Sequence, residues 1–432
     1  MKKVFFVWAL ILAFGFIQTS QGQFLDELKK KAEEKVKKEG EKRAKDKIDK
    51  GVEKGYDEVE KQLTGGDQKK KEGEAKVQDK QQNITTPQSK ENETNIQAVI
   101  NSKYDFIPGE KVIFFDDFSQ DAVGDFPALW NTNGSAEVVT TNLSPGHWMR
   151  FICRECIWTD ALIQLPDNYT IEYDFIPIQG KDKRMDGWHM RLMQAKNIRA
   201  WDPGTAPGQG GFQLKVESFG RPSYNSWFNK KDCGPAGLSG YIDDKTLYQK
   251  ENQKYHIAIW VQKSRIRLYQ DQNKLFDLPK GLPTDCIKID RLRFEDGAGM
   301  VSNIRIAVGA PDMRSKLLTD GKLISYGIYF DVNKDVVKPE SYPSIKEIAA
   351  ILKDNPNVKI KIVGHTDSDG DDKSNLDLSK RRAAAVKNAL TNDFSIEAAR
   401  IETDGKGEIE PVAPNDNATN KALNRRVEFI KL

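Results

Sequence analysis

The chain has 432 residues, which is enough for two or three domains that each bury a core. Its 67 Lys and Arg residues nearly balance its 64 Asp and Glu residues, so the formal net charge is only +3. A charge this small creates no global field that would attract nucleic acid, and we expect no nucleic-acid partner.

The N-terminus has the organisation of a secretory signal peptide. Lys2 and Lys3 precede an uncharged apolar run at residues 4–17, and Ser20-Gln21-Gly22 follows. This order predicts a signal peptide over residues 1–22 that is cleaved near Gly22. The run is shorter than the roughly 20 residues that span a bilayer, so a retained anchor is the weaker alternative. No cysteine precedes Cys153, which removes the usual lipoprotein anchor, and we expect no transmembrane segment in the mature chain.

Residues 23–101 are rich in Lys, Glu, Asp and Gln and poor in large apolar side chains. Such a composition cannot bury enough surface to form a globular core. Apolar residues still recur every three or four positions as far as Leu63, which predicts a charged, partly helical arm over residues 23–66. A coiled coil or a partner helix is the alternative. Residues 67–101 predict a disordered linker.

Residues 102–312 have the pattern of an all-β domain. All tryptophans except Trp8 lie here, and Gly, Pro and Asn separate short apolar or alternating segments. This pattern predicts a β-sandwich of the jelly-roll type, with tryptophans that belong mostly to the core. The predicted strands are 112–115, 148–152, 169–178, 211–217, 255–261, 265–269, 291–294 and 301–308. The domain resembles the concanavalin-like lectins and glucanases, which implies a glycan or an envelope protein as its partner.

One strand of this domain carries two carboxylates on the same face. Glu172 and Asp174 are similar to part of the Glu-x-Asp-x-x-Glu motif of jelly-roll glucanases. A retaining glycosidase needs a second carboxyl group about 5 Å from the nucleophile, and Pro177 stands where the third acidic residue would be. We therefore expect these carboxylates to lie on a solvent-facing side of an ordinary strand, and the domain to be non-catalytic.

The four cysteines, Cys153, Cys156, Cys233 and Cys286, all lie in this domain. In an oxidising compartment they predict disulfides, with three possible connectivities. Cys153 and Cys156 also have the spacing of a zinc or redox pair, but no second such pair occurs. We expect neither a metal nor a cofactor.

Residues 317–432 alternate between strand and helix patterns, which indicates a compact α+β domain. The predicted elements are a strand at 323–330, a helix at 339–352, a half-buried strand around 358–362, a helix at 375–390, and strands at 401–403 and 426–430.

Arg382 is the unusual residue of the second helix, because it falls in the middle of the apolar sector. A buried guanidinium is unfavourable unless it is paired. One interpretation is an internal salt bridge with a nearby aspartate. The other is a site for a ligand carboxylate, which a guanidinium can hold with two hydrogen bonds.

The C-terminal quarter resembles the OmpA-like C-terminal domain, the peptidoglycan-associating module of Gram-negative envelopes. The resemblance is carried by five motifs in order: 329–334 (YFDVNK), 364–367 (GHTD), 375–383 (NLDLSKRRA), 405–408 (GKGE) and 424–428 (NRRVE).

This resemblance implies that Asp367 binds the ammonium group of diaminopimelate in the stem peptide, and that Arg382 binds its carboxylate. It also implies supporting or contacting roles for four more residues, namely Asp331, Thr366, Asn375 and Arg425. The acidic loop around Asp369, Asp371 and Asp372 could instead suggest calcium, but Asp372 and Leu378 stand where an EF-hand needs glycine and glutamate.

The sequence therefore predicts a multidomain, non-catalytic envelope protein: an arm, a β-sandwich and an OmpA-like domain at residues 317–432 that binds peptidoglycan. We expect it in the periplasm, associated with the cell wall and outer membrane. The alternative is a glycan-cleaving jelly-roll enzyme tethered to the wall by the same domain.

Overall fold

The computed structural model describes residues 104–152, 156–180, 185, 187–196, 206–229, 237–282, 286–309 and 312–432. These residues belong to one compact unit that runs from Ile96 to Leu432. The predicted signal peptide, arm and linker lie outside the described residues and stay predictions. Within the described part of the chain, no helix is long and apolar enough to cross a membrane.

The first half of the described chain is a two-sheet β-sandwich. Its strands are β1 (Lys111–Asp116), β2 (Trp130–Thr132), β3 (Ala136–Thr140), β4 (His147–Ile152), β5 (Cys156–Thr159), β6 (Asn168–Pro177), β7 (Trp188–Gln194), β8 (Gly210–Val216), β9 (Pro222–Phe228), β10 (Ser239–Tyr241), β11 (Tyr255–Gln262), β12 (Arg265–Gln270), β13 (Asn273–Leu278), β14 (Arg291–Glu295) and β15 (Ala298–Val308). A 3-10 turn at Lys245–Leu247 follows β10.

Both sheets of the sandwich are antiparallel throughout their described strands. One has the order β13-β12-β11-β6-β15-β4-β3, with β1 also paired to β15. The other has the order β10-β9-β8-β7-β14-β5-β2. Their inner faces enclose one large aromatic and aliphatic core, in which the rings of Phe175 and Trp188 stack with centroids 3.8 Å apart.

The sequence patterns predict the sandwich correctly. Each of the eight predicted strands is present, and the largest difference is β15, which begins at Ala298 rather than at residue 301. Most of the missed strands are short or carry charge on one face, as β7 does at His189 and Arg191, whereas β9 begins with a proline and has no charged residue. Five of the described tryptophans are at most 5% exposed, so the prediction that they belong mostly to the core is confirmed.

The prediction that Glu172 and Asp174 face solvent is wrong. Both carboxylates are buried, at 2% and 4% exposure. Alternation along β6 places Tyr173 and Phe175 in the core and these acidic residues on the outer face of the sheet. The C-terminal domain covers that face, and the Tyr329 hydroxyl donates to Glu172 Oε2 at 2.8 Å.

The C-terminal domain is an α+β sandwich of one mixed sheet and helices. Its elements are α1 (Met313–Leu318), β16 (Lys322–Ser325), α2 (Tyr342–Asp354), β17 (Ile360–His365), α3 (Asp372–Asn392), β18 (Ile401–Gly407), α4 (Ala418–Asn424) and β19 (Val427–Lys431), with 3-10 turns at Pro339–Ser341 and Ala398–Arg400. The sheet order is β16-β19-β17-β18, and β17 pairs with β18 in parallel.

The predicted strand 323–330 is too long, because β16 ends at Ser325. The chain then leaves the sheet and runs along the sandwich, where Gly327 packs so closely on Pro108 that a Cβ would lie 2.7 Å from its ring. The short helices α1 and α4 were not predicted. The helix α4 packs on β1 through Ala418 and Ala422, which contact Val112 and Phe115 of the sandwich.

A buried polar cluster joins the two domains where Tyr329 meets β6. Arg305 of β15 donates to Glu172 Oε1 at 2.9 Å and to the Tyr329 hydroxyl at 3.0 Å. His256 of β11 lies 2.9 Å from Asp174 Oδ1 and 3.5 Å from Glu172 Oε2. Burial alone would lower the pKa of His256, but the two carboxylates outweigh it and raise this pKa to about 10.

The raised pKa of His256 predicts a pH dependence of stability. The folded state holds the imidazole proton more tightly than the unfolded chain, whose histidine titrates near 6.5. The stabilisation is therefore complete below pH 6.5 and is lost as the pH rises towards 10. In chemical denaturation at a series of pH values, the free energy of unfolding should fall over this window, and His256→Gln should remove that part of the fall. Equal slopes for both proteins would contradict this assignment.

Candidate functional site

A loop after β17 and the helix α3 bring most of the predicted site residues together. β17 ends at His365, and Thr366 and Asp367 follow directly. The Thr366 amide donates to the Gly407 carbonyl at the end of the neighbouring β18, at 2.9 Å. The site therefore lies at the carboxyl ends of two parallel strands, where open α/β sheets often bind ligands.

Two glycines allow α3 to lie directly against these strands. A Cβ at Gly364 would lie 2.3 Å from the Ser379 carbonyl oxygen, and one at Gly405 would lie 2.4 Å from the Lys380 nitrogen. The Ser379 hydroxyl accepts a hydrogen bond from the Gly407 amide at 2.9 Å. This close approach sets the position of Arg382 one turn further along the helix.

Asn375 holds the loop that carries Asp367. Its side-chain amide donates to the carbonyl oxygens of Asp367 and Asp369, at 3.3 and 3.1 Å, and to the Glu408 carboxylate at 2.5 Å. Asn375 is only 5% exposed. Its role in this structure is to fix the conformation of the loop.

Asp367 is mostly buried but keeps part of its carboxylate at the surface, with 7% of the residue exposed. Its Oδ2 accepts from Arg425 Nη1 at 2.6 Å, and its Oδ1 accepts from the Asp369 amide at 3.2 Å. The neighbouring Thr366 is 4% exposed, and its hydroxyl has no hydrogen-bond partner among the described residues. A buried hydroxyl without a partner is uncommon and marks a position that a ligand atom can satisfy.

Arg382 is half-buried and is held by main-chain oxygens rather than by a carboxylate. Its Nε donates to the Lys334 carbonyl at 3.0 Å and its Nη2 to the Asp331 carbonyl at 3.2 Å. The guanidinium lies 4.9 Å from the centroid of the Phe330 ring. Burial lowers the pKa of Arg382 to about 10, and the negative charge of Asp367 offsets only part of that effect.

The internal salt bridge considered for Arg382 is not formed within the described part of the chain, since no carboxylate there lies within ion-pair distance of this guanidinium. Asp331 contributes its carbonyl, while its carboxylate lies 3.2 Å from Lys334 Nζ and 3.9 Å from Lys338 Nζ. Asp331 thus positions Arg382 through the main chain.

Arg425 connects the site to the β-sandwich. Besides its bond to Asp367, its Nη2 lies 3.8 Å from Asp117 Oδ2, and its guanidinium lies 4.9 Å from the centroid of the Phe115 ring. Phe115 belongs to the end of β1, and Asp117 is the residue directly after this strand. The sequence analysis identified neither residue. Two adjacent aspartates at the end of a strand are common and do not by themselves indicate a functional site.

The acidic loop has structural partners that explain its composition. The Asp371 side chain accepts from the Ser374 amide at 2.9 Å and so caps α3. Asp369 Oδ1 lies 2.7 Å from Lys421 Nζ of α4. These contacts account for two of the three acidic residues without a metal ion.

One further group of potential metal ligands lies among the described residues, formed by His189, Glu295 and Asp296. Glu295 already pairs with Arg191 and Arg293. Although burial opposes it, contact with His189 and these arginines lowers the pKa of Glu295 to about 2. Two adjacent guanidinium groups make this position unfavourable for a cation. Cys153 and Cys233 lie outside the described residues, so the disulfide prediction stays open.

The C-terminal domain is a small α+β domain, in which the loop between a strand and a helix carries the Asp367 carboxylate and the helix carries the half-buried Arg382 guanidinium. Residues 329–425 match the model of the OmpA family, and the chain carries an OmpA family domain at these positions.

The same part of the chain is similar to outer-membrane proteins. It is 43% identical over 105 residues to outer membrane porin F of Pseudomonas aeruginosa, covering 24% of this chain and 30% of that protein. It is 41% identical over 101 residues to outer membrane protein A of Bordetella avium, covering 23% of this chain and 52% of that protein. The chain therefore spans less than two thirds of the length of these relatives.

A solved structure, that of the peptidoglycan-associated lipoprotein from Burkholderia pseudomallei, is 31% identical to the matched region. It covers 24% of this chain and 88% of that protein, with a TM-score of 0.23.

The close packing of α3 on the strands yields a stability prediction. Gly364→Ala would place a methyl group against the Ser379 carbonyl, so the helix has to move, and we expect a loss of about 1–3 kcal/mol. Ala384→Ser on the exposed side of the same helix should change the free energy of unfolding by less than about 0.5 kcal/mol. Equal effects in chemical denaturation would show that the helix does not need this contact.

Proposed function

We propose that the C-terminal domain anchors the protein to peptidoglycan by binding the diaminopimelate of the stem peptide. The free end of this residue carries an ammonium and a carboxylate group on one carbon. Asp367 would accept the ammonium group, and Arg382 would hold the carboxylate with two hydrogen bonds. Thr366 offers its unpartnered hydroxyl beside them.

The observation that carries the proposal is the burial of Arg382 together with the hydrogen bonds that it makes. A half-buried guanidinium that is bonded only to carbonyl oxygens keeps its full positive charge available to a carboxylate. The Phe330 ring and the carbonyls of Asp331 and Lys334 fix its plane before a ligand arrives, which lowers the entropic cost of binding. Asp331 and Asn375 serve as positioning residues, one for Arg382 and the other for the loop of Asp367.

Arg425 has a second role in this proposal. It neutralises Asp367 at 2.6 Å. When a ligand ammonium binds Asp367, the guanidinium of Arg425 can turn to the ligand carboxylate and keep Asp117, 3.8 Å from its Nη2, as an acidic neighbour. The similarity to outer-membrane proteins supports a place in the cell envelope, and we propose a periplasmic, wall-associated and outer-membrane-associated location.

The β-sandwich would supply a second binding function, directed at a glycan or an envelope protein. The structure favours a non-catalytic role over the glycan-cleaving alternative for one specific reason. Glu172 and Asp174, the carboxylates that resemble part of a glucanase motif, are buried against the C-terminal domain and paired with Arg305 and His256. A substrate could reach them only if the two domains separated.

Removal of either charged partner should abolish binding to the wall. Loss of one member of a desolvated charge pair typically costs about 2–5 kcal/mol, so Asp367→Ala and Arg382→Ala should each weaken binding to purified sacculi by at least about 30-fold. Co-sedimentation of the mature protein with sacculi measures this directly.

Arg381 provides the matched control for Arg382. It is the adjacent arginine of α3 but is exposed, and it pairs with Asp377 at 2.9 Å and Asp335 at 3.3 Å. Arg381→Ala should sediment with sacculi as the unchanged protein does. If Asp367→Ala and Arg382→Ala also sediment normally, the binding site lies elsewhere.

A further inference from the structure

A cavity of about 490 Å³ lies where α4 of the C-terminal domain meets the β-sandwich. This volume is within the range of small-molecule sites in proteins, roughly 300–1,000 Å³. Ile113, Phe114 and Ile163 form part of its apolar lining. The exposed residues Ala128 and Ala161 also line it, so the cavity is open to solvent.

Thr159 provides an unsatisfied polar group in the cavity wall. It is 1% exposed, and its hydroxyl has no hydrogen-bond partner among the described residues. The residue is the last of β5 and is paired through its backbone with Trp130, which fixes its position. A buried hydroxyl without a partner is unfavourable, and a ligand hydroxyl or amide placed against it would supply the missing hydrogen bond.

The remaining polar groups of the cavity wall favour a neutral ligand that carries hydroxyl groups. Asp160 accepts from Asn131 at 3.1 Å through one oxygen, and its second oxygen can accept from a sugar hydroxyl. Asn417 and Asn420 also line the cavity, and their side-chain amides donate to Asp416 Oδ1 at 2.9 and 2.6 Å. The Asp160 carboxylate at the edge of the cavity repels the acidic groups of a peptide, whereas saccharide hydroxyls can donate hydrogen bonds to it.

The cavity is a short distance from the candidate peptidoglycan site. Asn420 in its wall precedes Arg425 by five residues, which corresponds to about 7.5 Å along a helix axis. Thr419, also in the wall, accepts from the Phe115 amide at 2.9 Å, and the Phe115 ring lies under the guanidinium of Arg425. Two extended peptide residues span about 7 Å, so a wall fragment that contacts Arg425 can also reach the cavity.

We infer that this interdomain cavity binds a saccharide unit of the same peptidoglycan fragment whose diaminopimelate occupies the Asp367 and Arg382 site. The inference rests on the proposed function of that site. The β-sandwich then contributes directly to wall binding, because Thr159 and Asp160 of the sandwich line the same cavity as Asn417 and Asn420 of the OmpA family domain.

The test compares two synthetic ligands by calorimetry with the mature full-length protein. One is a tripeptide that ends in diaminopimelate, and the other is the same tripeptide attached to its N-acetylated disaccharide. We expect the disaccharide to increase affinity by at least tenfold. Ala161→Trp, which fills the open cavity, and Thr159→Val, which removes only the hydroxyl, should each eliminate most of that gain and leave binding of the tripeptide unchanged.

The possible outcomes separate this inference from the proposed function. If the disaccharide gives no gain, or if Ala161→Trp keeps the full gain, the cavity is not a saccharide site, and loss of tripeptide binding in Asp367→Ala would still support the diaminopimelate site. If the tripeptide does not bind but the tripeptide attached to the disaccharide binds, and Ala161→Trp prevents this binding, the cavity assignment holds and the diaminopimelate site is wrong. Because Thr159 is buried, the melting temperature of the Thr159→Val variant shows whether it folds. Ala161 is exposed, so the Ala161→Trp variant still decides the test if Thr159→Val does not fold.

Discussion

Glu172 of the sandwich accepts hydrogen bonds from Arg305 of its own sheet and from Tyr329 of the C-terminal domain, with Glu172 and Arg305 buried and Tyr329 half-buried. Burying an ion pair is favourable only when both of its members keep their hydrogen-bond and charge partners. Removing one partner typically lowers the free energy of unfolding by about 3–5 kcal/mol. Tyr329 adds a hydrogen bond from the C-terminal domain to this cluster. The contact therefore fixes the C-terminal domain against the outer face of the sheet, and the position of Arg425 beside Asp117 and Phe115 depends on it.

That arrangement changes what the two domains can do together. A wall-binding domain on a free linker would hold the sandwich near peptidoglycan in any orientation. Here α4 lies on β1, and Thr419 exchanges hydrogen bonds with the Phe115 main chain at 2.9 and 3.3 Å. Peptidoglycan bound at Asp367 would consequently meet the sandwich at a fixed place, where Asp117 and Phe115 contact Arg425.

Much of this architecture follows from local sequence signals. Alternation predicts the strands β6 and β17, and the spacing of Gly364, Asp367, Asn375 and Arg382 predicts the loop and the helix that carry the site. The burial of Glu172 could not be predicted, because alternation separates two faces of a strand but does not show what covers the outer one. Asp117 and Phe115 were missed for a similar reason: they reach the site from another domain, about 250 residues before Asp367 in the chain.

The central claim is that Asp367 and Arg382 together hold a zwitterionic amino-acid terminus. A crystal structure of the mature protein with diaminopimelic acid tests it most directly. The account predicts the ligand ammonium within hydrogen-bond distance of the Asp367 carboxylate and its carboxylate on the guanidinium of Arg382, with Arg425 moved from Asp367 towards the ligand carboxylate. A ligand bound elsewhere, or an intact Asp367–Arg425 pair with no ligand contact at Arg382, would contradict it.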